Sequence, residues 1–260
     1  MIVLFFGDVV GKPGRDLLTS RLAMLRSRHA VDAVIANGEN ATNGTGINPA
    51  HADELFAAGV DVITTGNHVW KHREIYRYLD EHPRIVRPFN FLEANPGRGV
   101  TVVDTPGGRL GVVNLSGNLY QEAARSPFEA VDEALEQLEG VRNVVVDLHA
   151  EATSEKKAMG WHLDGRVSAV VGTHTHVRTA DAVVLPKGTA YITDTGMCGP
   201  RDSVIGVKKE LVLERFLTQM PMRFEVADGD VWLEGVVIEL GDDGHARSIV
   251  PFEEGQASTV

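Results

Sequence analysis

The sequence predicts an α/β fold of βα units that ends in an antiparallel meander. Three observations predict it. Short β-branched runs alternate with helix-like segments along most of the chain. Several of those runs are continuously apolar, as expected of strands covered on both faces. The last third instead carries apolar stretches separated by Asp-Gly turns, the pattern of antiparallel hairpins. A mixed sheet, or two sheets packed face to face between helices, fits this order better than a pure doubly wound sheet.

In chain order, the strand candidates are Ile2–Phe6, 31–36, 60–64, 110–115, 143–148, 167–171 and 190–193. Asn48-Pro49 reads as an N-cap with Pro at the first helical position, and Gly59 closes that helix. Ser126-Pro127-Phe128-Glu129 reads as a capping box. Behind it Phe128, Val131, Leu135 and Leu138 form one apolar stripe that belongs to the core. The expected meander comprises 224–226, Val231–Leu240 and 246–251, with turns at Asp228-Gly229 and Asp242-Asp243-Gly244.

The 260 residues are 43% apolar and 23% charged, which suits one globular domain spanning 1–260. No apolar run approaches the roughly 20 residues of a membrane span. The apolar start runs straight into Gly7-Asp8 without a basic flank, so a buried strand is expected there, not a signal peptide. Cys198 is the only cysteine, so no internal disulfide forms, and it is expected to be an inert packed thiol in a cytoplasmic protein. The net charge of −11 disfavours long nucleic acid as a partner. The acidic residues Glu234, Glu239, Asp242, Asp243, Glu253 and Glu254 are expected to form a solvated face, and Trp70, Trp161 and Trp232 to be packing residues.

In an open α/β sheet, ligands gather beyond the carboxyl ends of the strands. Six strand ends here carry a carboxylate, carboxamide or imidazole beside a small residue. They are Gly7-Asp8, Asn37-Gly38-Glu39-Asn40, Gly66-Asn67-His68, His149-Ala150-Glu151, Gly172-Thr173-His174-Thr175-His176 and Asp194-Thr195-Gly196. Singly, each is as well explained by a turn or a cap; their joint position is the signal. Such oxygen and nitrogen donors suit Mn, Fe or Zn, and the lack of thiolates argues against a structural zinc site. On an extended segment, His174 and His176 would face the same side and reach two neighbouring metals. Gly7 to Pro13 superficially resembles a phosphate loop, but it has three residues where four are needed between the glycines, and Pro13 replaces the Ser/Thr. Lys12 and Arg15 are expected to be solvated residues at a helix start. The His68/His72 spacing is discounted as a zinc pair, because the helix begins only near Lys71.

These motifs, in this order, resemble the calcineurin-like metallophosphoesterases. The details Gly7-Asp8-Val9-Val10-Gly11, Gly66-Asn67-His68-Val69-Trp70 and Thr193-Asp194-Thr195-Gly196-Met197 are similar to the bacterial YmdB-like branch. The resemblance spans Gly7 to about Gly206. It departs from the wider superfamily at Val10, where a His is usual, and at Glu39, where a bridging Asp is usual; Asn40 would supply the ligand missing at Val10. It implies a four-layer α/β/β/α sandwich with two mixed sheets. It implies two divalent or mixed-valence metal ions, Fe or Mn first and Zn next. One would be held by Asp8, Glu39, Asn40 and His176, the other by Glu39, Asn67, His149 and His174. It implies hydrolysis of phosphodiesters, including 2′,3′-cyclic nucleotides, and of phosphomonoesters.

His68, next to the ligand Asn67, is then the expected general acid. Asp147, Glu151 and Asp194 are candidates to orient the metal-binding imidazoles. Thr42 and Thr195 are candidate substrate contacts. The expected partner is a small phosphate ester or cyclic nucleotide, with no membrane, and the chain could assemble as a homo-oligomer. Two other readings stay open: a non-catalytic metal-binding regulator and a nuclease acting on RNA.

Overall fold

The computed structural model describes residues 1–256; the last four positions of the expected 1–260 domain lie outside the described residues. The chain begins β1 (Ile2–Phe6), β2 (Asp8–Val9), α1 (Gly11–His29), β3 (Ala33–Asn37), α2 (Pro49–Ala58), β4 (Val62–Thr64), α3 (Ile75–Glu81) and β5 (Ile85–Val86). It continues β6 (Val100–Thr105), β7 (Gly108–Ser116), α4 (Pro127–Glu136), β8 (Asn143–His149), α5 (Thr153–Leu163) and β9 (Ala169–Thr173). It closes with β10 (Val183–Val184), β11 (Ala190–Ile192), β12 (Met197–Pro200), α6 (Lys209–Thr218), β13 (Val231–Leu240) and β14 (Ala246–Gly255).

Two mixed sheets result. In the first, β1, β3, β4 and β5 run parallel, and β13 joins antiparallel to β1. β13 also pairs antiparallel with β12 and, along its other edge, with β14. The second sheet has the order β10-β11-β9-β8-β7-β6. Its central strands β7, β8, β9 and β11 are parallel.

The two-residue period of a strand sorts side chains into layers. Val3 and Phe5 of β1 face the other sheet and meet Val112, Val145, Val171 and Ile192. Leu4 and Phe6 face the opposite way, onto Leu18, Leu22 and Leu25 of α1. Across the second sheet, Val113, Val144, Val146 and Val170 pack on Val131, Met159 and Leu163 of α4 and α5. Three apolar interfaces therefore separate four layers, helix on sheet on sheet on helix. Each fully buried Val, Leu or Phe contributes about 1.5–3 kcal/mol. Among the described residues, no helix is long and apolar enough to cross a membrane.

The caps follow the sequence closely. Asn48 Oδ1 accepts from the His51 N–H at 2.9 Å, and Gly59 ends α2 in the left-handed region. Ser126 Oγ accepts from the Phe128 N–H at 3.3 Å, one position earlier than a capping box requires. The meander is shorter than expected. Residues 224–226 form no strand: Val226 makes only an isolated bridge to Val207. Its side chain is instead spent on covering Gly11 and Gly44. The antiparallel unit is the β13–β14 hairpin, inserted into the first sheet.

Candidate metal centre

Every candidate ligand lies at or just beyond a strand's carboxyl end. Asp8 follows β1, Glu39 and Asn40 follow β3, and Asn67 follows β4; His149 closes β8, and His174 and His176 follow β9. The first three strands belong to one sheet and the last two to the other, so the cluster bridges both.

The structure brings all seven side chains together in two poles. At one, Asn40 Nδ2 donates to Asp8 Oδ1 at 3.3 Å and lies 2.9 Å from His176 Nε2. His176 Nε2 is 3.6 Å from Asp8 Oδ1. At the other, His149 Nε2 lies 3.1 Å from Asn67 Oδ1 and 3.1 Å from His174 Nδ1. Glu39 stands between them. Its Oε1 is 4.0 Å from His149 Nε2 and accepts the His68 backbone N–H, while its Oε2 is buried with no hydrogen-bond partner. Among the described residues, no three His, Cys, Asp or Glu side chains alone make a metal cage. Here the carboxamides of Asn40 and Asn67 complete each pole.

The neighbours fix which nitrogen of each imidazole faces the cluster. His149 Nδ1–H donates to Thr173 Oγ1 (2.9 Å), and Thr173 Oγ1 donates to Asp147 Oδ1 (2.8 Å). His176 Nδ1–H donates to the Ile205 carbonyl (2.8 Å), and His174 Nε2–H to Glu151 Oε2 (3.1 Å). This leaves the lone pairs of His149 Nε2, His176 Nε2 and His174 Nδ1 turned inward. Asp147 also accepts from Asn37 Nδ2 (3.0 Å) and Thr64 Oγ1 (2.5 Å).

Burial sets the electrostatics. Asp8, Asp147 and His149 are fully buried, and Glu39 is nearly so. Burial alone would raise the Asp8 carboxyl, but His176 and His149 beside it hold it well below the usual carboxylate range. Burial, aided by the charges of Asp8 and Asp147, pushes Glu39 well up despite N–H donors from His68 and Gly66. Asp147 is pushed up to about 7 by burial, against its three hydrogen bonds. Burial pulls His149 down. It would do the same to His176, but Asp8 raises that ring instead. His68 is lowered by burial and by His174, Lys71 and His176.

Several expectations need correction. His174 and His176 are not on extended backbone: their φ angles are +97° and +63°, and the turn sends the two rings to different poles. Thr42 and Thr195 offer no free hydroxyl to a substrate. Thr42 Oγ1 lies 2.7 Å from His51 Nδ1 and accepts from the Asn48 N–H, and Thr195 Oγ1 donates to the Gly172 carbonyl. Both are buried, so their hydroxyls had to find internal partners. Asp194 touches no imidazole; it accepts from Lys156 Nζ and from the Thr175 N–H and hydroxyl, and so braces the turn between the two histidines. Arg15 is buried rather than solvated. It donates to Glu54 Oε2 (2.9 Å) and to the Ala41 carbonyl, pinning the loop that carries Glu39 and Asn40. Trp161 is 59% exposed and packs little. Sequence reasoning missed Thr173 and Lys156; their signal was only a polar residue inside a motif, with partners 24 or more positions away.

Two clefts flank the cluster. One of about 480 Å³ is lined by Asn67 and His174, with Trp70, Phe91 and Tyr120. The other, of about 460 Å³, is lined by His176 with Arg178, Arg201 and Trp232.

Residues 4–252 match the sequence model of the family described as "YmdB-like protein". The chain is 48% identical over 243 residues to a Bacillus subtilis (strain 168) protein named 2′,3′-cyclic-nucleotide 2′-phosphodiesterase, covering 93% of this chain and 92% of that one. It superposes on the crystal structure of a hypothetical protein from Thermus thermophilus with a TM-score of 0.93 and 42% identity, covering 98% and 100% of the two chains. A novel phosphatase from Mycoplasma pneumoniae gives a TM-score of 0.91 at 36% identity, covering 98% and 93%. A 5′-nucleotidase precursor, also from Thermus thermophilus, shares the fold at 14% identity and a TM-score of 0.61, over 98% of this chain and 54% of that one. The strand-end cluster, the two-sheet sandwich and these likenesses agree: the chain belongs to the YmdB-like protein family.

Proposed function

We propose that the protein is a metal-dependent cytoplasmic phosphoesterase that hydrolyses small nucleotide esters, 2′,3′-cyclic nucleotides foremost. One observation carries the metal site. His149 Nε2 faces both His174 Nδ1 and Asn67 Oδ1 at 3.1 Å while its ring proton, on Nδ1, goes to Thr173, and Glu39 Oε2 is buried with no partner. Lone pairs and carboxylates gathered in a buried place are costly unless cations join them. Among the described residues, no Lys or Arg side chain pairs with Asp8 or Glu39.

The donors fit two nitrogen- and oxygen-loving transition metals, Fe or Mn before Zn. Asp8, Glu39, Asn40 and His176 would hold one, and Glu39, Asn67, His149 and His174 the other, with Glu39 common to both. When bound, such a pair supplies Lewis-acid activation of water and neutralises charge on the phosphoryl oxygens. The chain's own part is to hold these donors and to handle the leaving group. Water oxygen bonds to phosphorus, the P–O bond to the sugar breaks, and the departing oxygen needs a proton. We assign that proton to His68. Its side chain is 40% exposed, follows Asn67 directly, and has Nδ1 3.4 Å from Glu39. The named activity of the 48%-identical Bacillus subtilis relative supports the choice of substrate.

The test compares wild type with His174→Ala for bound metal and for turnover of a 2′,3′-cyclic nucleotide. About two metals per chain and turnover, both reduced in the variant and removed by chelator, are expected. Two metals without turnover of any ester would instead favour a metal-binding regulator. No metal after reconstitution would overturn the site.

A further inference from the structure

The cleft on the Asn67 side is walled by aromatic rings. Trp70 and Phe91 lie 6.2 Å apart, tilted by 39°. Trp70 is fixed from behind by Tyr76, whose ring meets it edge-on at 5.6 Å and whose hydroxyl donates to the Trp70 carbonyl. The third ring, Tyr120, is different: it is 88% exposed, and its φ is +66°. A bulky side chain in the left-handed region is uncommon, and an aromatic ring held open to water leaves a large apolar face uncovered.

Tyr120 is not on a loose tip. The strap that carries it, residues 117–125, is tied at both ends. Glu155 accepts the N–H groups of Asn118 (2.8 Å) and Leu119 (3.4 Å), and the Asn90 carbonyl accepts the Arg125 N–H (3.1 Å). Gln121 on the same strap donates to Asn67 Oδ1 at 3.4 Å, and its Oε1 is buried without a partner. The strap therefore joins the exposed ring directly to a metal-cluster residue. The cleft holds about 480 Å³, and both Asn67 and His174 line it. The two flanking clefts give room for the next atoms of an ester whose phosphorus sits at the cluster. The other cleft has no open ring: the Trp232 face is covered by the Arg201 guanidinium at 3.8 Å, and Arg201 and Arg178 are paired with Glu253.

We propose that the cleft of Trp70, Phe91 and Tyr120 is a nucleobase subsite, in which the base of the substrate stacks on Tyr120 while its phosphate lies at the cluster. This rests on the phosphoesterase reading above and adds to it a recognised base. Stacking accepts any base, because every base has a π-face. The carboxamide of Asn95, which lines the cleft, gives the base edge a polar partner.

The experiment compares adenosine 2′,3′-cyclic phosphate with methyl riboside 2′,3′-cyclic phosphate, which has the same reacting ring and no base. Both are assayed with wild type, Tyr120→Ala and Tyr120→Phe. In parallel, adenosine 3′-monophosphate and ribose 5-phosphate are titrated against Trp70 fluorescence in a Trp161→Phe/Trp232→Phe background. Wild type is expected to prefer the base-bearing ester in kcat/KM by about 5- to 150-fold, the range of base–aromatic stacking. Tyr120→Ala loses that preference through KM for the base-bearing ester, and Tyr120→Phe keeps it. The adenosine nucleotide quenches Trp70 saturably and ribose phosphate does not. Equal kcat/KM for the two esters in wild type, or a preference untouched in Tyr120→Ala, overturns the subsite. Absent quenching also overturns it. Failure of the phosphoesterase reading looks different: neither ester turns over, while nucleotide quenching persists and still supports a base site.

Discussion

Thr173 holds three partners at once. Its hydroxyl accepts from His149 and from Asn37 Nδ2 and donates to Asp147, which keeps the cluster-facing nitrogen of His149 free of a proton. Thr173→Val removes that hydroxyl without changing the shape much. It is expected to weaken metal binding about 10- to 100-fold while the chain stays folded, measured by competition with a chelator and by circular dichroism. His68 is separable from this network, because it touches the cluster only through Glu39. His68→Ala is expected to keep its metals and to lose about 10²- to 10⁴-fold in rate on a ribose leaving group. With a p-nitrophenolate leaving group, which needs no protonation, the loss is expected to be far smaller. Equal losses on both would remove His68 from the proton-donor role.

At the scale of elements, bare backbone makes room for the site. A Cβ on Gly66 would lie 2.2 Å from the His149 ring, and one on Gly172 would lie 1.8 Å from the Thr193 carbonyl. Gly66→Ala is therefore expected to displace His149 and abolish tight metal binding, read out by metal analysis of the purified variant. Behind the cluster, Asp181 ties the loop after β9 to the end of β11. It accepts from the Thr193 N–H and hydroxyl, the Thr179 hydroxyl and Lys157. Burial alone would raise its pKa, but these donors bring it from 3.8 down to about 2. A folded-state pKa below the unfolded value means stability that is present above about pH 4 and lost as pH falls through about 2. The stability gap between wild type and Asp181→Asn, measured by urea unfolding, should thus close across that window.

The same scale shows what the sequence could and could not reveal. The buried strands were legible because apolar β-branched runs have few other uses, and the Asn48 cap because its chemistry is local. The seven cluster residues were legible because each stands beside a small residue at a strand end. The turn at His174 and His176 was not, since nothing in an imidazole demands positive φ; the tertiary contacts of Thr175 with Asp194 hold it there. Nor were the internal partners of Thr42 and Thr195, or the burial of Arg15. Their contacts are set by packing between segments, not by neighbours in sequence. Residues 224–226 had the alternation of a strand, but Val226 was claimed by the glycines it covers.

At the scale of the molecule, the two sheets share one apolar interior, and the cluster sits at its rim, where strands of both meet. A cavity in that interior should be felt at the cluster. Phe5→Ala, in the strand that leads to Asp8, is expected to cost about 3–5 kcal/mol in stability, measured by denaturant unfolding, and to weaken metal retention with it. The acidic face is less solvated than its composition suggests: Arg28 meets Glu254, Arg178 meets Glu253, and Arg201 meets Glu234 and Glu253. Such surface pairs count for little singly.

The placement of β13 has a consequence for biosynthesis. β1 pairs with β13 across 229 to 237 positions of chain, Ile2 opposite Glu239 and Phe6 opposite Gly235. Closing so long a loop is slow, and it cannot begin until the ribosome has released the partner. During translation, then, β1 emerges long before β13 and is among the last strands to be flanked on both edges, and Asp8 waits with it. A nascent chain halted before Val231 would present an unpaired apolar edge, a target for chaperones, and would hold metal poorly however complete its list of ligands.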